Sequence, residues 1–351
     1  MYDYEKLSYL NSASGLKAAL KTHNEDFIVD EVMPVVPDQT GEHNWIQVKK
    51  NGANTDYVAK QLAQFAGVRA GAVSFAGLKD RNAVTTQWFS VHLPGKENPN
   101  WQQCQSDEFE ILQSERHSRK LKRGALSANR FQIRLRQCDG AEADWNSRLQ
   151  LIAENGVPNY FGPQRFGQQM NNLSRAVELI EKNKIQRLKP HKRGIYLSAM
   201  RSWIFNRIVS ARIAANQFYQ PQSGDVFMLA EGRACFSEVI TDDIRQRLDD
   251  KALYLTAALW GRGETMAGEQ VAELERLIAE ETPAFKQSLE KAGMKQERRA
   301  MRLMPVNMQW QFSTENCLDV SFELTKGSYA TAVLRELGDI VDASGPNLIR
   351  G

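Results

Sequence analysis

The segment Ser74-Phe75-Ala76-Gly77-Leu78-Lys79-Asp80-Arg81-Asn82-Ala83-Val84-Thr85-Thr86-Gln87 places one carboxylate, Asp80, between two cations. An apolar run from Ala72 to Ala76 ends at Gly77, and apolar–polar alternation resumes at Phe89, Val91 and Leu93. That order predicts strand, turn, strand, with a single acid presented at the turn. An acid held among positive charges stays ionised and can serve as a nucleophile. Taken alone, a Lys-Asp-Arg turn is usually solvated surface. Other chemistries lack their residues. The sequence has no Gly-x4-Gly-Lys-Ser/Thr phosphate loop and no Gly-x-Ser-x-Gly elbow, and Gly261-Arg262-Gly263 lacks the third glycine of a dinucleotide loop. The five histidines, His23, His43, His92, His117 and His191, have no metal-ligand spacing. Cys104, Cys138, Cys235 and Cys317 form no Cys-x-x-Cys pair and read as free thiols of a reducing cytoplasm. The chemistry to expect uses carboxylates and amines, with no metal and no cofactor.

The elements around Asp80 are legible in outline. Phe27-Ile28-Val29 and Ile46-Gln47-Val48 are strand candidates. Asn54 or Thr55 can cap a helix through Val58, Leu62 and Phe65 that stops at Gly67. From Asn129 to Arg136 the alternation is clean: Phe131, Ile133 and Leu135 share one face, and Arg130, Gln132, Arg134 and Arg136 the other. The middle of the chain is helical in pattern. Ser198 is a candidate cap for a helix carrying Met200, Trp203, Ile204 and Ile208, and helical patterns follow at 270–280 and 283–292. Strand character returns at Leu318 to Leu324, and a Gly327-Ser328 turn leads into a helix from Ala330 to Leu337. Sheet-rich ends around a helix-rich middle predict an α+β domain interrupted by an insertion. The 351 residues suffice for two domains.

Charge adds a second clue. Ser114 to Arg136 holds eight basic residues against one acid, in a chain whose formal net charge is only +3. Positive charge gathered in one place is the usual footprint of a polyanion such as nucleic acid, although a solvated basic turn explains it as well. A composition of 42% hydrophobic and 25% charged residues is that of an ordinary soluble protein. No apolar stretch reaches the ~18 residues a membrane crossing needs. The N-terminus, Met1-Tyr2-Asp3-Tyr4-Glu5-Lys6, lacks the order of a signal peptide. A cytoplasmic protein with no membrane partner is expected.

Five segments, taken in order, resemble one family. Ser74 to Gln87 resembles the catalytic segment of the tRNA pseudouridine synthase D (TruD) family. Lys21-Thr22-His23-Asn24-Glu25-Asp26-Phe27-Ile28-Val29-Asp30-Glu31 is similar to its first motif, and Arg123-Gly124-Ala125-Leu126 through Asn129-Arg130-Phe131 to its second-strand motif. Val157-Pro158-Asn159-Tyr160-Phe161-Gly162 with Gln164-Arg165-Phe166-Gly167 resembles the signature opening its insertion. Gly327-Ser328-Tyr329-Ala330-Thr331 with Arg335-Glu336-Leu337 resembles its C-terminal motif.

The resemblance implies a pseudouridine synthase core with a mainly antiparallel mixed sheet flanked by helices, and an inserted α/β domain. The core would comprise residues 1–155 and 304–351, with the insertion at 156–303. It implies conversion of a uridine in tRNA, at position 13, to pseudouridine without a cofactor, with tRNA as partner and no obligate protein partner evident. Asp80 would be the nucleophile and Lys21 its cationic partner. Phe27, Asn129, Phe131 and Tyr329 would hold the flipped nucleotide, Tyr329 standing where we associate Phe with the family. Lys79 and Arg81 would then contact phosphates or support the turn. Arg116, Arg119, Lys120, Lys122 and Arg123 would contact the RNA backbone, whereas Arg298, Arg299 and Arg302 read as solvated helix charges. A non-catalytic RNA-binding or chaperone protein using the same basic face, and a donor-dependent methyltransferase, are the competing readings.

Overall fold

A computed structural model describes residues 2–104, 106–313 and 316–344, and the chain divides into two compact units. One, the sheet unit, comprises Gly15–Ala153, Pro305–Gly327 and Leu337–Gly351. The other, the helical unit, comprises Met1–Ser14, Glu154–Met304 and Ser328–Glu336. The first stretch of the sheet unit forms β1 (Lys17–Leu20), β2 (Phe27–Val32), β3 (His43–Asn51), α1 (Thr55–Phe65), β4 (Val73–Phe75), β5 (Val84–His92), β6 (Phe109–His117), β7 (Ala128–Asp139) and α2 (Glu142–Asn155). The helical unit follows with β8 (Val157–Pro158), α3 (Asn171–Glu181), α4 (Pro190–Ala214), β9 (Val226–Leu229), β10 (Cys235–Ser237), α5 (Asp242–Asp249), β11 (Leu253–Leu259), α6 (Glu269–Glu280), α7 (Pro283–Lys291), β12 (Glu297–Ala300) and β13 (Arg302–Leu303). Then come β14 (Val306–Ser313), β15 (Cys317–Thr325), α8 (Ala330–Leu337) and β16 (Asp339–Asp342).

The fold is α+β, as the sequence predicts. The main sheet runs β14-β15-β7-β2-β5-β3-β6, with β1 beside β7 and β16, and β4 on β5. Among the described strands of this sheet only β2–β5 and β1–β16 pair in parallel, so the sheet is mixed and mainly antiparallel. The helical unit has its own antiparallel sheet, β10-β9-β11-β12, and buries Phe166, Leu173, Met200, Phe205 and Phe285 in its core.

Strand β7 is the spine of the sheet unit. Phe131, Ile133 and Leu135 are buried on one face. The arginine face is real but neutralised by acids on its neighbours: Arg130 pairs with Glu323 at 2.9 Å, Arg134 with Asp319 at 2.7 Å and Arg136 with Asp26 at 2.7 Å. These three therefore clamp β7 to β15 and to the start of β2 rather than offering free charge. On the β3 side, α1 buries Val58 and Leu62 in one cluster with Ile46, Val48, Phe89 and Val91, each buried side chain contributing about 1.5–3 kcal/mol. Gly67, at φ +60°, follows the end of α1 in the left-handed region that glycine adopts without cost.

Two expectations are corrected. Ser198 caps nothing: α4 begins at Pro190, whose fixed φ suits the first helical position, and Ser198 lies inside the helix accepting a hydrogen bond from Arg165 Nη1 at 3.1 Å. Arg298, Arg299 and Arg302 lie on β12 and β13, not on a solvated helix. Arg298 pairs with buried Glu275 at 2.7 Å, and the Arg299 guanidinium stacks on Phe161 at 4.2 Å. Their charge is spent within the fold.

Candidate active site

Asp80 sits in the loop joining β4 to β5, the turn of the expected strand-turn-strand pattern. Its carboxylate is 43% exposed, and Lys21 Nζ donates to Asp80 Oδ2 at 3.1 Å. Lys21 follows directly after β1 with φ +59°, a left-handed conformation that a residue with a side chain rarely adopts. Its side chain is 11% exposed and its ammonium lies 4.4 Å from the centre of the Phe27 ring and 3.8 Å from Asp342 Oδ2. Lys21, Asp80, Phe27 and Asp342 thus converge from β1, the loop, β2 and β16.

Phe27 and Phe131 face the same side of the sheet, their rings edge to face at 6.0 Å, and Phe131 continues to Phe322 at 5.5 Å. Both Phe27 and Phe131 are buried. Across the same face Glu31 on β2 is directly opposite Asn129 on β7. Lys79 bridges them: its Nζ is 2.9 Å from Glu31 Oε1 and 2.6 Å from Asn129 Oδ1. An ammonium only donates, so it fixes the amide of Asn129 with Oδ1 inward and Nδ2 presented as a donor. The Glu31 side chain is fully buried, and its Oε2 accepts from the Trp88 backbone N–H at 3.0 Å. Lys79 is accordingly a support of the site, not a free cation.

The loop itself is held by side chains that sequence reasoning did not single out. Lys50 Nζ donates to Asp80 O at 2.8 Å and to Ala53 O at 2.7 Å. Thr55 Oγ1 accepts from the Lys79 N–H at 3.1 Å and donates to Gln87 Oε1 at 2.8 Å, while Gln87 Nε2 donates to Gly77 O at 3.2 Å. Arg81 Nε donates to Gly52 O at 3.2 Å, which makes Arg81 a brace of the loop as well. The missed signal was Lys50: it occupies a core position in the alternation Ile46, Val48, Lys50 and is wholly buried. Burial pushes its pKa down from 10.5 to about 8, with Lys79 lowering it further and Asp80 opposing. Between these values the unfolded chain holds a proton that the folded chain has lost, so Lys50 makes stability rise as pH climbs from about 8 towards 10.5. In urea titrations across that range the midpoint of the native chain is expected to gain on that of Lys50→Met; parallel curves would show that Lys50 does not titrate as burial dictates.

The basic stretch divides. Arg116 is consumed by the fold, donating to Leu93 O at 3.4 Å and Lys96 O at 2.5 Å. Arg119, Lys120, Lys122 and Arg123 are exposed on the loop between β6 and β7. This loop is tied to the Asp80 loop, since the Gly124 N–H donates to Ala76 O at 2.7 Å, and Trp45 Nε1 donates to Arg119 O at 2.9 Å. Tyr329 belongs to the helical unit. There its hydroxyl, the atom that a Phe would lack, accepts from Arg165 Nε at 2.9 Å, and its ring meets Phe161 edge to face at 6.0 Å. Gly162 lies so close to Thr331, Gln164 and Tyr329 that a side chain there would collide with them.

Among the described residues no group of three or more His, Cys, Asp or Glu could hold a metal ion. Among the described residues no helix is long and apolar enough to cross a membrane.

The family model described as tRNA pseudouridine synthase D (TruD) matches residues 4–186 and 177–337. A protein of that name from Hydrogenovibrio crunogenus is 43% identical over 323 residues, covering 92% of this chain and 93% of its own length. Another, from Aeromonas salmonicida, is 45% identical over 337 residues, covering 95% and 94%. A crystal structure under the same family name from Methanosarcina mazei aligns with a TM-score of 0.71 at 20% identity, over 94% of this chain and 95% of that one, and bears on the fold alone. With the family pattern matched along nearly its whole length, this chain belongs to the tRNA pseudouridine synthase D family.

Proposed function

We propose that this protein isomerises a uridine of tRNA, the one at position 13, to pseudouridine, with Asp80 as the nucleophile and no cofactor. The observation that carries the reading is the meeting of Lys21 and Asp80 at 3.1 Å beside Phe27, Phe131 and Asn129. In the reaction the N1–C1′ bond breaks, the uracil turns, and a C5–C1′ bond forms. C5 loses a proton and N1 gains one, so nothing is oxidised and no co-reactant is consumed. Addition of a carboxylate at C1′, addition at C6, and removal of the C2′ proton all require Asp80 ionised, and Lys21 supplies the compensating charge.

The uridine must leave its stack before any of these atoms is open. The Phe27–Phe131 wall supplies apolar contact for a flipped base, and base–aromatic stacking is worth about 1–3 kcal/mol per base. Asn129 Nδ2, turned outward by Lys79, is the donor for a uracil carbonyl. In this reading the catalytic domain, residues 1–155 and 304–351, contains most of the sheet unit, and 156–303 is the inserted domain of the family. The exposed cations Arg119, Lys120, Lys122 and Arg123 contact phosphates beside the loop they are tied to.

The deciding experiment incubates unmodified tRNA carrying C5-tritiated uridine with the native chain and with Asp80→Ala. Tritium release by the native chain alone is the expected result. No release from either identifies an RNA-binding protein, and release only when a methyl donor is added identifies a methyltransferase. For the basic loop, the double change Arg119→Glu and Lys120→Glu is expected to weaken tRNA binding and reduce the slope of log K against log salt by about 1–2. An unchanged slope would take the loop out of the RNA path.

A further inference from the structure

The Asp80 loop has one side chain that the fold leaves unexplained. Leu78 is 62% exposed, whereas Ala76 and Ala83 at the two ends of the loop are buried. Its neighbours are pinned: Ala76 O by Gly124, Gly77 O by Gln87, the Lys79 N–H by Thr55, the Lys79 ammonium by Glu31, and Asp80 O by Lys50. Exposure alternates through this stretch, with Leu78 and Asp80 exposed and Lys79 turned inward between them. The loop therefore presents an isobutyl group and the candidate nucleophile to solvent together, on a backbone that cannot swing either away. Exposed basic side chains lie on the loop hydrogen-bonded to it, and Arg123 stacks over Phe75, just before it, at 5.1 Å.

A nucleotide drawn out to meet Asp80 leaves a hole in the RNA stack. Unless something fills the hole, the flanking bases close on it and the target returns. Apolar side chains are used as wedges at such steps in nucleic acids, because they replace stacking contact without asking for hydrogen bonds. We propose that Leu78 enters the RNA at the space vacated by the target uridine, holding the nucleotide in its flipped position against Asp80. The inference rests on the isomerase reading and adds to it a positioning residue, which touches the neighbours of the reacting nucleotide and takes no part in bond making. It also assigns the rigidity of the loop a purpose: a wedge on a mobile loop would yield before the base stack did.

The test compares the native chain with Leu78→Ala and Leu78→Met in single-turnover release of tritium at saturating protein. Leu78→Ala is expected to slow release at least about tenfold and to change tRNA affinity less than about threefold, the rate loss being of the size that burial of a leucine side chain represents. Leu78→Met, which keeps apolar length, is expected to restore most of the rate. A parallel measurement places 2-aminopurine beside the target uridine and binds the RNA to Asp80→Asn with and without the Leu78→Ala change. Fluorescence should rise when the neighbour loses its partner, and this rise should be lost when Leu78 is truncated. Leu78→Ala within about twofold of the native rate would overturn the proposal, because a wedge worth less than that holds nothing. So would a slowed rate with the fluorescence rise intact, or equal slowing by Ala and Met. Failure of the native chain to release any tritium would instead strike the isomerase reading.

Discussion

Lys21→Met is expected to lower turnover of tRNA by at least about 10²–10³-fold, the loss typical when a preorganised charge is removed from a reacting centre. Binding of tRNA is expected to change little, because the side chain is 11% exposed and directed at Asp80, not outward at a phosphate. The geometry makes Met a clean probe. Met occupies the left-handed backbone at φ +59° no worse than Lys, and its thioether keeps the packing on the Phe27 ring that the ammonium now occupies at 4.4 Å. What disappears is charge. Asp80 and Asp342, at 3.1 Å and 3.8 Å from Nζ, then share a vacated space with no cation between them, and like carboxylates in that position disfavour one another's ionised form. Single-turnover tritium release with a parallel binding titration reads the two effects separately. Near-native turnover would remove Lys21 from the machinery, and a matching collapse of binding would reassign it to the RNA path.

The parts of this arrangement that were legible in the sequence are those with a local pattern. β7 shows itself in the alternation around Phe131, α1 in its stripe from Val58 to Leu62 ending at Gly67, and α7 in a proline at its first turn. The contact between Lys21 and Asp80 spans 59 positions, and no periodicity contains it; only the resemblance of separate segments to one family brought the two together. Lys50 was visible as a breach in the core face of β3, yet a lysine in a strand is ordinarily taken for its exposed side. The ion pairs of Arg130, Arg134 and Arg136 were invisible because their acids lie on β15 and before β2, strands whose adjacency to β7 is a matter of topology. For the same reason local net charge overstated the basic surface: of eight cations in one segment, four are spent on acids or carbonyls of the fold. Lys79 is the instructive case, since its position beside Asp80 suggested an outward charge and its side chain is turned in.

That inward turn makes the second large prediction. Lys79→Met leaves Glu31 wholly buried without its cation, its Oε2 still accepting from the Trp88 backbone N–H, and is expected to cost about 3–5 kcal/mol of stability. Replacing both partners, Lys79→Met with Glu31→Met, removes the stranded charge. Apolar residues of similar volume often substitute for a buried pair at little cost. The unmet Trp88 N–H still costs about 1–3 kcal/mol, so the double variant should fall between the native chain and Lys79→Met. Urea unfolding of the native chain, both single variants and the double gives the coupling between the two side chains directly. Activity should not follow stability. Asn129 loses the donor that turns its amide in every variant lacking Lys79, so turnover per folded molecule should stay depressed in the double variant by about 10–100-fold, the scale of a misplaced positioning group. Stability restored together with turnover would show that Lys79 serves only to neutralise Glu31. Stability restored without turnover would show that the ammonium holds the loop and aims the amide of Asn129 at the same time, so that the cation beside Asp80 in sequence acts on the substrate through Asn129.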